Sequence, residues 1–274
     1  MGSTLYVTDL DGTLLTTDGY ISEKSLNIIN GLINEGMHFT YATARSLISA
    51  RKVTKGLRTD IPVIVYNGAF IMQADTGKVL YSSPFTDKER DDLNQLLRRT
   101  QAHPLIYSFI DESEKLSWDE RYVNEGTAFY LSQRPNDPRL RPVQGDDALY
   151  QGDIFYYTCI GTESELNGIY EALKDDKRFH VTFQRELYRF EFWLEIMPIH
   201  ATKAQAMEHL KQLWGCERTV AFGDAVNDIP MFQAADEAYA VDNAVPELKQ
   251  YADKIIDDHD QDGVANWVLS HYKK

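Results

Sequence analysis

Leu5-Tyr6-Val7-Thr8-Asp9-Leu10-Asp11-Gly12-Thr13 is the stretch around which the rest of the chain is organised. Leu5-Tyr6-Val7 is short, apolar and β-prone with a polar break after it, the pattern of a buried strand. Asp9 and Asp11 stand two residues apart at its exit, and alternate side chains of an extended chain share a side, so both carboxylates can address one site. Gly12 frees the backbone for a sharp turn, and Thr13 adds a hydroxyl. In open α/β sheets ligands bind in the crevice beyond the carboxyl ends of the strands. Two anions held side by side need a cation between them or a proton on one of them. A hard divalent cation is the natural third party, which points to Mg2+. Taken alone, Asp-x-Asp at a strand end is equally compatible with surface turn chemistry.

Composition narrows the classes. The chain has 274 residues, 43% hydrophobic and 26% charged, enough for a large core in one or two domains. Its net charge of −14 opposes non-specific attraction to nucleic acid or to an anionic membrane. An anionic small substrate remains compatible, because a metal and a few local cations can reverse the field inside a pocket. Cys159 and Cys216 lack metal-ligand spacing and form no disulfide framework, which fits a reducing cytoplasm. No basic segment precedes an apolar core at the start, and no apolar run approaches the length of a membrane span. A cytoplasmic location is expected.

Downstream, Thr16-Thr17-Asp18-Gly19 has hairpin-turn chemistry. A helix is predicted from Ser22, with Leu26, Ile29 and Ile33 on one face and Gly36 as its stop. His38–Ala42 is a second strand ending in Thr43-Ala44-Arg45, with a helix from Ser46. Pro62–Tyr66 is a third strand closed by Asn67-Gly68, and 70–72 with 78–81 flank a hairpin turn at Asp75-Thr76-Gly77. This is βαβαβ, the pattern of a parallel sheet with helices on its faces. From Pro84 the character changes: residues 84–195 carry 18 of the 32 aromatics, more than their share by length. Strands at 154–159, 179–183 and 190–196, with a capping box at Thr162-Glu163-Ser164-Glu165 opening a helix to Leu173, make this a self-contained α+β unit. Arg134–Gly145, rich in proline and charge, reads as a loop within it. The parallel pattern then resumes: helix 202–213, strand 219–222, helix 229–235, strand 239–241, helix 246–251 with proline in its first turn, strand 254–256 and a helix from Gly263. The simplest account is a Rossmann-like α/β core, 1–83 with 196–274, interrupted by an inserted domain, 84–195.

A second carboxylate cluster, Gly223-Asp224-Ala225-Val226-Asn227-Asp228, again lies at a strand exit. A strand–loop–helix turn brings Asp224 to the crevice, with Asn227 and Asp228 at the helix start. Alone it could be a helix cap built from Asx residues; its pairing with Asp9 and Asp11 at the same end of a parallel sheet favours a site. Carboxylates converging from two loops would hold Mg2+ through few ligands, leaving positions for water and phosphate oxygens. Lys203 begins a helix where the chain re-enters the sheet, and beside such a cluster its ammonium could neutralise an attacking group and clamp a phosphate oxygen. Thr43 and the amides after it at a strand–helix turn could hold an anion, and Arg45 is a further candidate clamp. Asp258-His259-Asp260-Gln261-Asp262-Gly263 imitates the opening of a calcium loop, but Leu269 stands where the loop needs a bidentate Glu, so these acids read as the polar start of the terminal helix. Neither a Walker A sequence nor Gly-x-Gly-x-x-Gly occurs.

In this order, Asp9-Leu10-Asp11-Gly12-Thr13, Thr43, Lys203 and Gly223-Asp224-x-x-Asn227-Asp228 resemble the haloacid dehalogenase superfamily. The interruption between the third strand and Lys203 is similar to the Cof-type branch with its α/β cap of type IIB. Asn67-Gly68-Ala69 and Asp242-Asn243-Ala244 extend that likeness across the chain. One departure is Ala44, where the branch usually has glycine: the N–H is kept, but the methyl narrows the loop. The resemblance implies an aspartyl-phosphate formed on Asp9, with Asp11 protonating the leaving alcohol and then deprotonating water. It implies Mg2+ on the Asp9 carboxylate, the Asp11 carbonyl and Asp224, supported by Asp228 and Asn67. Thr43, Ala44, Lys203 and Asn227 would bind the phosphoryl group, with Arg45 in support. Asp11 separates such phosphatases from dehalogenases, which lack the second Asp. The expected activity is hydrolysis of phosphate monoesters of small metabolites, with the cap closing over the site and choosing the substrate. The expected partner is a small phosphorylated metabolite, not nucleic acid or membrane, and the oligomeric state is left open. A phosphomutase on the same core, a metal-dependent glycosyltransferase using Asp-x-Asp, and a non-catalytic sensor are the alternatives. Tyr122, Tyr188 and Arg189 are guesses at pocket lining.

Overall fold

The structure is a computed structural model that describes residues 3–111, 113–185 and 190–273. Tyr188 and Arg189 therefore lie outside the described residues. By Cα packing the chain divides into two compact units, Met1–Ser82 with His200–Lys274, and Ser83–Ile199.

The first unit begins with β1 (Thr4–Thr8), whose last four residues are all buried. α1 (Glu23–Asn34) follows, with the Ser22 side chain accepting from the Ser25 amide as its N-cap. Its innermost stripe is Ser25, Ile29 and Leu32, so the helix is rotated from the predicted Leu26–Ile29–Ile33 face, and Leu26 and Ile33 are only half-buried. The cause is Asp262, which draws Ser25 inward by accepting from its hydroxyl at 2.8 Å. Next come β2 (His38–Tyr41), α2 (Leu47–Val53), and the antiparallel set β3 (Pro62–Val65), β4 (Phe70–Gln73) and β5 (Val79–Ser82). β3 joins β2 through one parallel bridge, Ala42 to Ile64.

The second unit contains α3 (Asp87–Arg99), β6 (Leu105–Ile110), β7 (Ser113–Asp119), α4 (Glu125–Ser132), β8 (Leu140–Val143), α5 (Asp146–Leu149), β9 (Asp153–Gly161), α6 (Glu163–Leu173), β10 (Phe179–Arg185) and β11 (Phe192–Pro198). Its sheet order is β10-β11-β9-β6-β7-β8, antiparallel except for β7 with β8. The stretch read as a loop, Arg134–Gly145, thus contains a strand. Leu140–Val143 alternates too little to be legible, and β8 forms because β7 offers it a paired edge from Leu116 to Asp119. The predicted capping box of α6 is present, and α3 has a second one from Thr86 and Glu89. Leu93, Leu97, Leu166 and Ile169 of these helices pack with Phe85, Tyr157 and Phe179 in one core, each fully buried aliphatic side chain contributing about 1.5–3 kcal/mol. The unit extends past residue 195 because Met197 and Pro198 still pair with His180 and Phe179.

The chain returns to the first unit as α7 (Lys203–Trp214), β12 (Arg218–Gly223), α8 (Ile229–Ala234), β13 (Glu237–Val241), α9 (Pro246–Lys249), β14 (Lys254–Ile256) and α10 (Gly263–His271). The core sheet is parallel in the order β14-β13-β12-β1-β2. The path leaves β1 on one side to β2 and later occupies the other side with β12, so the order reverses at β1 and β12. That is where such sheets bind ligands. Among the described residues no helix is long and apolar enough to cross a membrane.

Candidate active site

β1 and β12 run side by side with Thr8 opposite Phe222, and the Asp9 amide donates to the Phe222 carbonyl at 2.9 Å. Asp9 and Asp224 therefore leave the sheet together at its carboxyl edge. The chain turns immediately after Asp9: the Leu10 carbonyl accepts from the amides of Thr13, Leu14 and Leu15. Gly12 has φ +77°, and a β-carbon there would stand 2.5 Å from a carboxylate oxygen of Asp224. A side chain here would be strained by the positive φ and would push the Asp224 carboxylate aside. Thr13 uses its hydroxyl to donate to Asp224 Oδ1 at 3.0 Å.

Lys203 is the first residue of α7 and is only 2% exposed. Its Nζ donates to Asp9 Oδ1 at 2.5 Å and to Asp228 Oδ1 at 2.7 Å. Asp228 is fully buried, and its other oxygen accepts from the amides of Asp224 and Ala225, each at 3.1 Å. Both of its oxygens are engaged by protein donors, so Asp228 fixes Lys203 and the Asp224 loop. Carboxylate atoms of Asp9, Asp224 and Asp228 lie within 4.8 Å of one another. Among the described residues, Oδ2 of Asp9 and Oδ2 of Asp224 receive no hydrogen bond. That donor set, hard oxygens from carboxylates that protein cations only partly neutralise, fits Mg2+.

The electrostatics agree with this arrangement. Burial pushes the Asp9 carboxyl up, Lys203 pulls it back, and Asp228 and Asp224 add to the rise. Asp224 is also raised, by burial first, with Thr13 opposing. Burial by itself would lower Lys203, but Asp9 and Asp228 on either side reverse that and hold it protonated. A further positive charge at this point would favour the ionised form of both carboxylates.

Asp11 does not join this cluster. Its side chain is 52% exposed and meets Arg45 in a two-pronged pair, Nε to Oδ2 at 2.8 Å and NH2 to Oδ1 at 2.6 Å. The expectation that Asp9 and Asp11 turn to one side assumed an extended chain, and the turn at Leu10 breaks that geometry. Asp228 takes the third place instead. Thr43 is buried, and its hydroxyl accepts from the Arg45 amide at 3.1 Å, while Ala44 is exposed at the tip of the same turn. The Thr43 carbonyl accepts from the Asn67 amide, and the Arg45 carbonyl from the Tyr66 amide. Asn67 has φ +53° and accepts from Asn227 Nδ2 at 3.5 Å. The turn after β2, the turn after β3 and the loop after β12 are thus brought together. Gly68 lies against α7: at φ +101°, a β-carbon there would stand 2.1 Å from the Thr202 carbonyl oxygen.

From this contact Gly68→Ala is expected to displace the start of α7 and with it the ammonium of Lys203. A loss of roughly 2–4 kcal/mol in unfolding free energy is predicted. Urea denaturation tests this, and an alanine variant as stable as wild type would refute the close approach.

Two residues outside the predicted site also belong here. Asn243, in the turn after β13, donates to the Gly12 carbonyl at 2.7 Å, and Asp260 accepts from both the amide and hydroxyl of Thr17. Asn243 carried a signal only as part of Asp242-Asn243-Ala244. Asp260 sat inside the calcium-loop imitation and carried none. Tyr122 lines a cavity of about 490 Å³ within the inserted unit, its ring stacked on His103 at 4.1 Å between centroids.

A family model described as haloacid dehalogenase-like hydrolase matches residues 6–268. The chain is 26% identical over 282 residues to the 5-amino-6-(5-phospho-D-ribitylamino)uracil phosphatase YwtE of Bacillus subtilis, covering 95% of each chain. It is 25% identical over 276 residues to the pyridoxal phosphate phosphatase YbhA of Escherichia coli, covering 96% of each. Among solved structures it is similar in fold to TM0651 from Thermotoga maritima, with a TM-score of 0.77, 24% identity and coverage of 100% of this chain and 98% of that one.

Proposed function

The chain belongs to the haloacid dehalogenase-like hydrolase family, and from that premise we propose that it is a Mg2+-dependent phosphatase of small phosphorylated metabolites working through an aspartyl-phosphate. The observation that carries this reading is the buried Asp9, with Lys203 on one oxygen at 2.5 Å and the other unfilled. A carboxylate so placed can attack phosphorus while the ammonium cancels the repulsion between two anions. Asp9, Asp224 and the Asp11 carbonyl would hold Mg2+. Bound there, the ion would neutralise charge on the phosphoryl group.

Thr43, the Ala44 amide, Lys203 and Asn227 are assigned to the phosphoryl oxygens, which carry the largest transition-state charge. Asn67 keeps Asn227 in place. Asp11 is assigned the proton transfers, first to the leaving alcohol and then from water. In this structure it is paired with Arg45, so that duty requires its carboxyl to exchange Arg45 for the leaving-group oxygen. Substrate choice is assigned to the inserted unit, 83–199. The names of the two relatives support a phosphate monoester on a small heterocyclic or polyol body as the substrate class.

Phosphate release from p-nitrophenyl phosphate, followed by a panel of sugar phosphates, pyridoxal phosphate and flavin mononucleotide, tests this reading. Chelation with EDTA is expected to lower the rate by more than about 100-fold, with Mg2+ restoring it. Equal rates with and without the chelator would remove the metal from the proposal. Absence of turnover across the whole panel would favour a non-catalytic role.

A further inference from the structure

The segment that imitates a calcium loop, Asp258–Gly263, spends its oxygens on the protein instead. Asp258 Oδ1 accepts from the Asp260 amide at 2.8 Å, within the segment itself. Asp260 reaches outward: Oδ1 accepts from the Thr17 amide at 2.8 Å and Oδ2 from the Thr17 hydroxyl at 2.7 Å. Asp262 accepts from the hydroxyls of Ser22 and Ser25 and lies 3.5 Å from Lys24 Nζ. Gly263 allows the tight path, since a β-carbon there would stand 1.9 Å from the Asp257 carbonyl oxygen. Asn243 completes the set, accepting from the His259 amide at 3.2 Å while donating to the Gly12 carbonyl at 2.7 Å.

These bonds converge on one stretch of chain, the loop that leaves β1 and runs to α1. It is held at Gly12 by Asn243, at Thr17 by Asp260 and at 22–25 by Asp262. The Gly12–Thr13 peptide plane adjoins the plane that carries the Asp11 carbonyl, and Thr13 holds Asp224. A loop whose carbonyl and carboxylates must present oxygens to a small octahedral ion tolerates little drift, and outer-shell hydrogen bonds are what orient such ligands. We infer that Asn243 and Asp260 are positioning residues, which brace the nucleophile loop from the carboxyl-terminal segment and set its affinity for the metal. The inference rests on the Mg2+ site of the proposed function and, for its kinetic consequence, also on the hydrolysis proposed there.

The test compares Asn243→Ala, Asp260→Ala and Asp260→Asn with wild type in two independent readouts. Calorimetric titration of the metal-free protein with Mg2+ needs no turnover, and hydrolysis of p-nitrophenyl phosphate gives kcat and KM separately. Each alanine variant is expected to bind Mg2+ about 10- to 100-fold more weakly and to lose kcat by a similar factor, with KM within about two-fold of wild type. Asp260→Asn keeps an acceptor for the Thr17 amide, so it should recover most of both. If wild type binds Mg2+ without turnover, the phosphatase reading fails while the titration still decides the brace. Wild-type Mg2+ affinity in Asn243→Ala would overturn the brace even in an active enzyme. So would losses that follow a fall in melting temperature and are not restored in Asp260→Asn, since that pattern belongs to a merely structural contact.

Discussion

Asp9→Asn is expected to abolish turnover, lowering kcat by at least about 10⁴-fold, while the protein stays folded. The carboxamide matches the carboxylate in shape but is a far weaker nucleophile, so the first displacement at phosphorus is lost. Stability should change by no more than about 1 kcal/mol, because two effects oppose each other. The variant relieves a buried carboxylate that burial and the neighbouring Asp228 and Asp224 disfavour. It also replaces one of the two anionic acceptors of Lys203 by a neutral amide oxygen, leaving the bond to the Asp228 carboxylate in place. Acid-quenched protein examined by mass spectrometry during turnover gives a second view: wild type should carry a phosphoryl adduct, and Asp9→Asn none. A variant that is folded and hydrolyses p-nitrophenyl phosphate like wild type would leave the nucleophile unassigned.

Lys203→Met should be costly in both stability and rate. Methionine fills a similar volume, but it leaves Asp9 and Asp228 facing each other in the interior with no cation between them. Breaking a buried ion pair from one side typically costs 3–5 kcal/mol, and about that loss is expected in EDTA. Mg2+ should return part of it, since an ion on Asp9 compensates one of the two stranded charges and a ligand bound only to the native state adds to its stability. The rate is expected to fall about 10³-fold even with saturating Mg2+, as for removal of one fixed donor from a developing oxyanion. Denaturation curves with EDTA and with Mg2+ separate the two contributions. Identical curves for variant and wild type in EDTA would show that the ammonium does not carry the interior charge.

The sequence by itself determined the parallel α/β core, the interruption by an aromatic-rich unit, and the four segments that meet at the sheet edge. Each of these is written locally. Leu5-Tyr6-Val7 and Val220-Ala221-Phe222 are apolar runs that can only be buried strands, each is followed by Asp or Gly-Asp, and the capping box at Thr162–Glu165 starts a helix whatever lies around it. Strand exits in a parallel sheet share one edge, so the convergence of Asp9, Thr43 and Asp224 follows from their place in the chain, whereas Asn67 follows a strand of the separate antiparallel set.

What the carboxylates do there was decided only in three dimensions. Asp9 and Asp11 have the same chemistry and nearly the same position, yet the turn at Leu10 sends one to a buried lysine and the other to the half-buried Arg45. Asp228 does cap, with one oxygen accepting from the Ala225 amide, and its other oxygen holds Lys203, a partner that the capping pattern does not reveal. β8 depends on the edge of β7, and the inward turn of Ser25 depends on Asp262 from the far end of the chain. Periodicity and spacing report what a segment does with its neighbours in sequence. A hydrogen bond between residues two hundred positions apart leaves no trace in either, and in this protein such bonds help set which carboxylates keep an oxygen free of protein donors and which are spent on the scaffold.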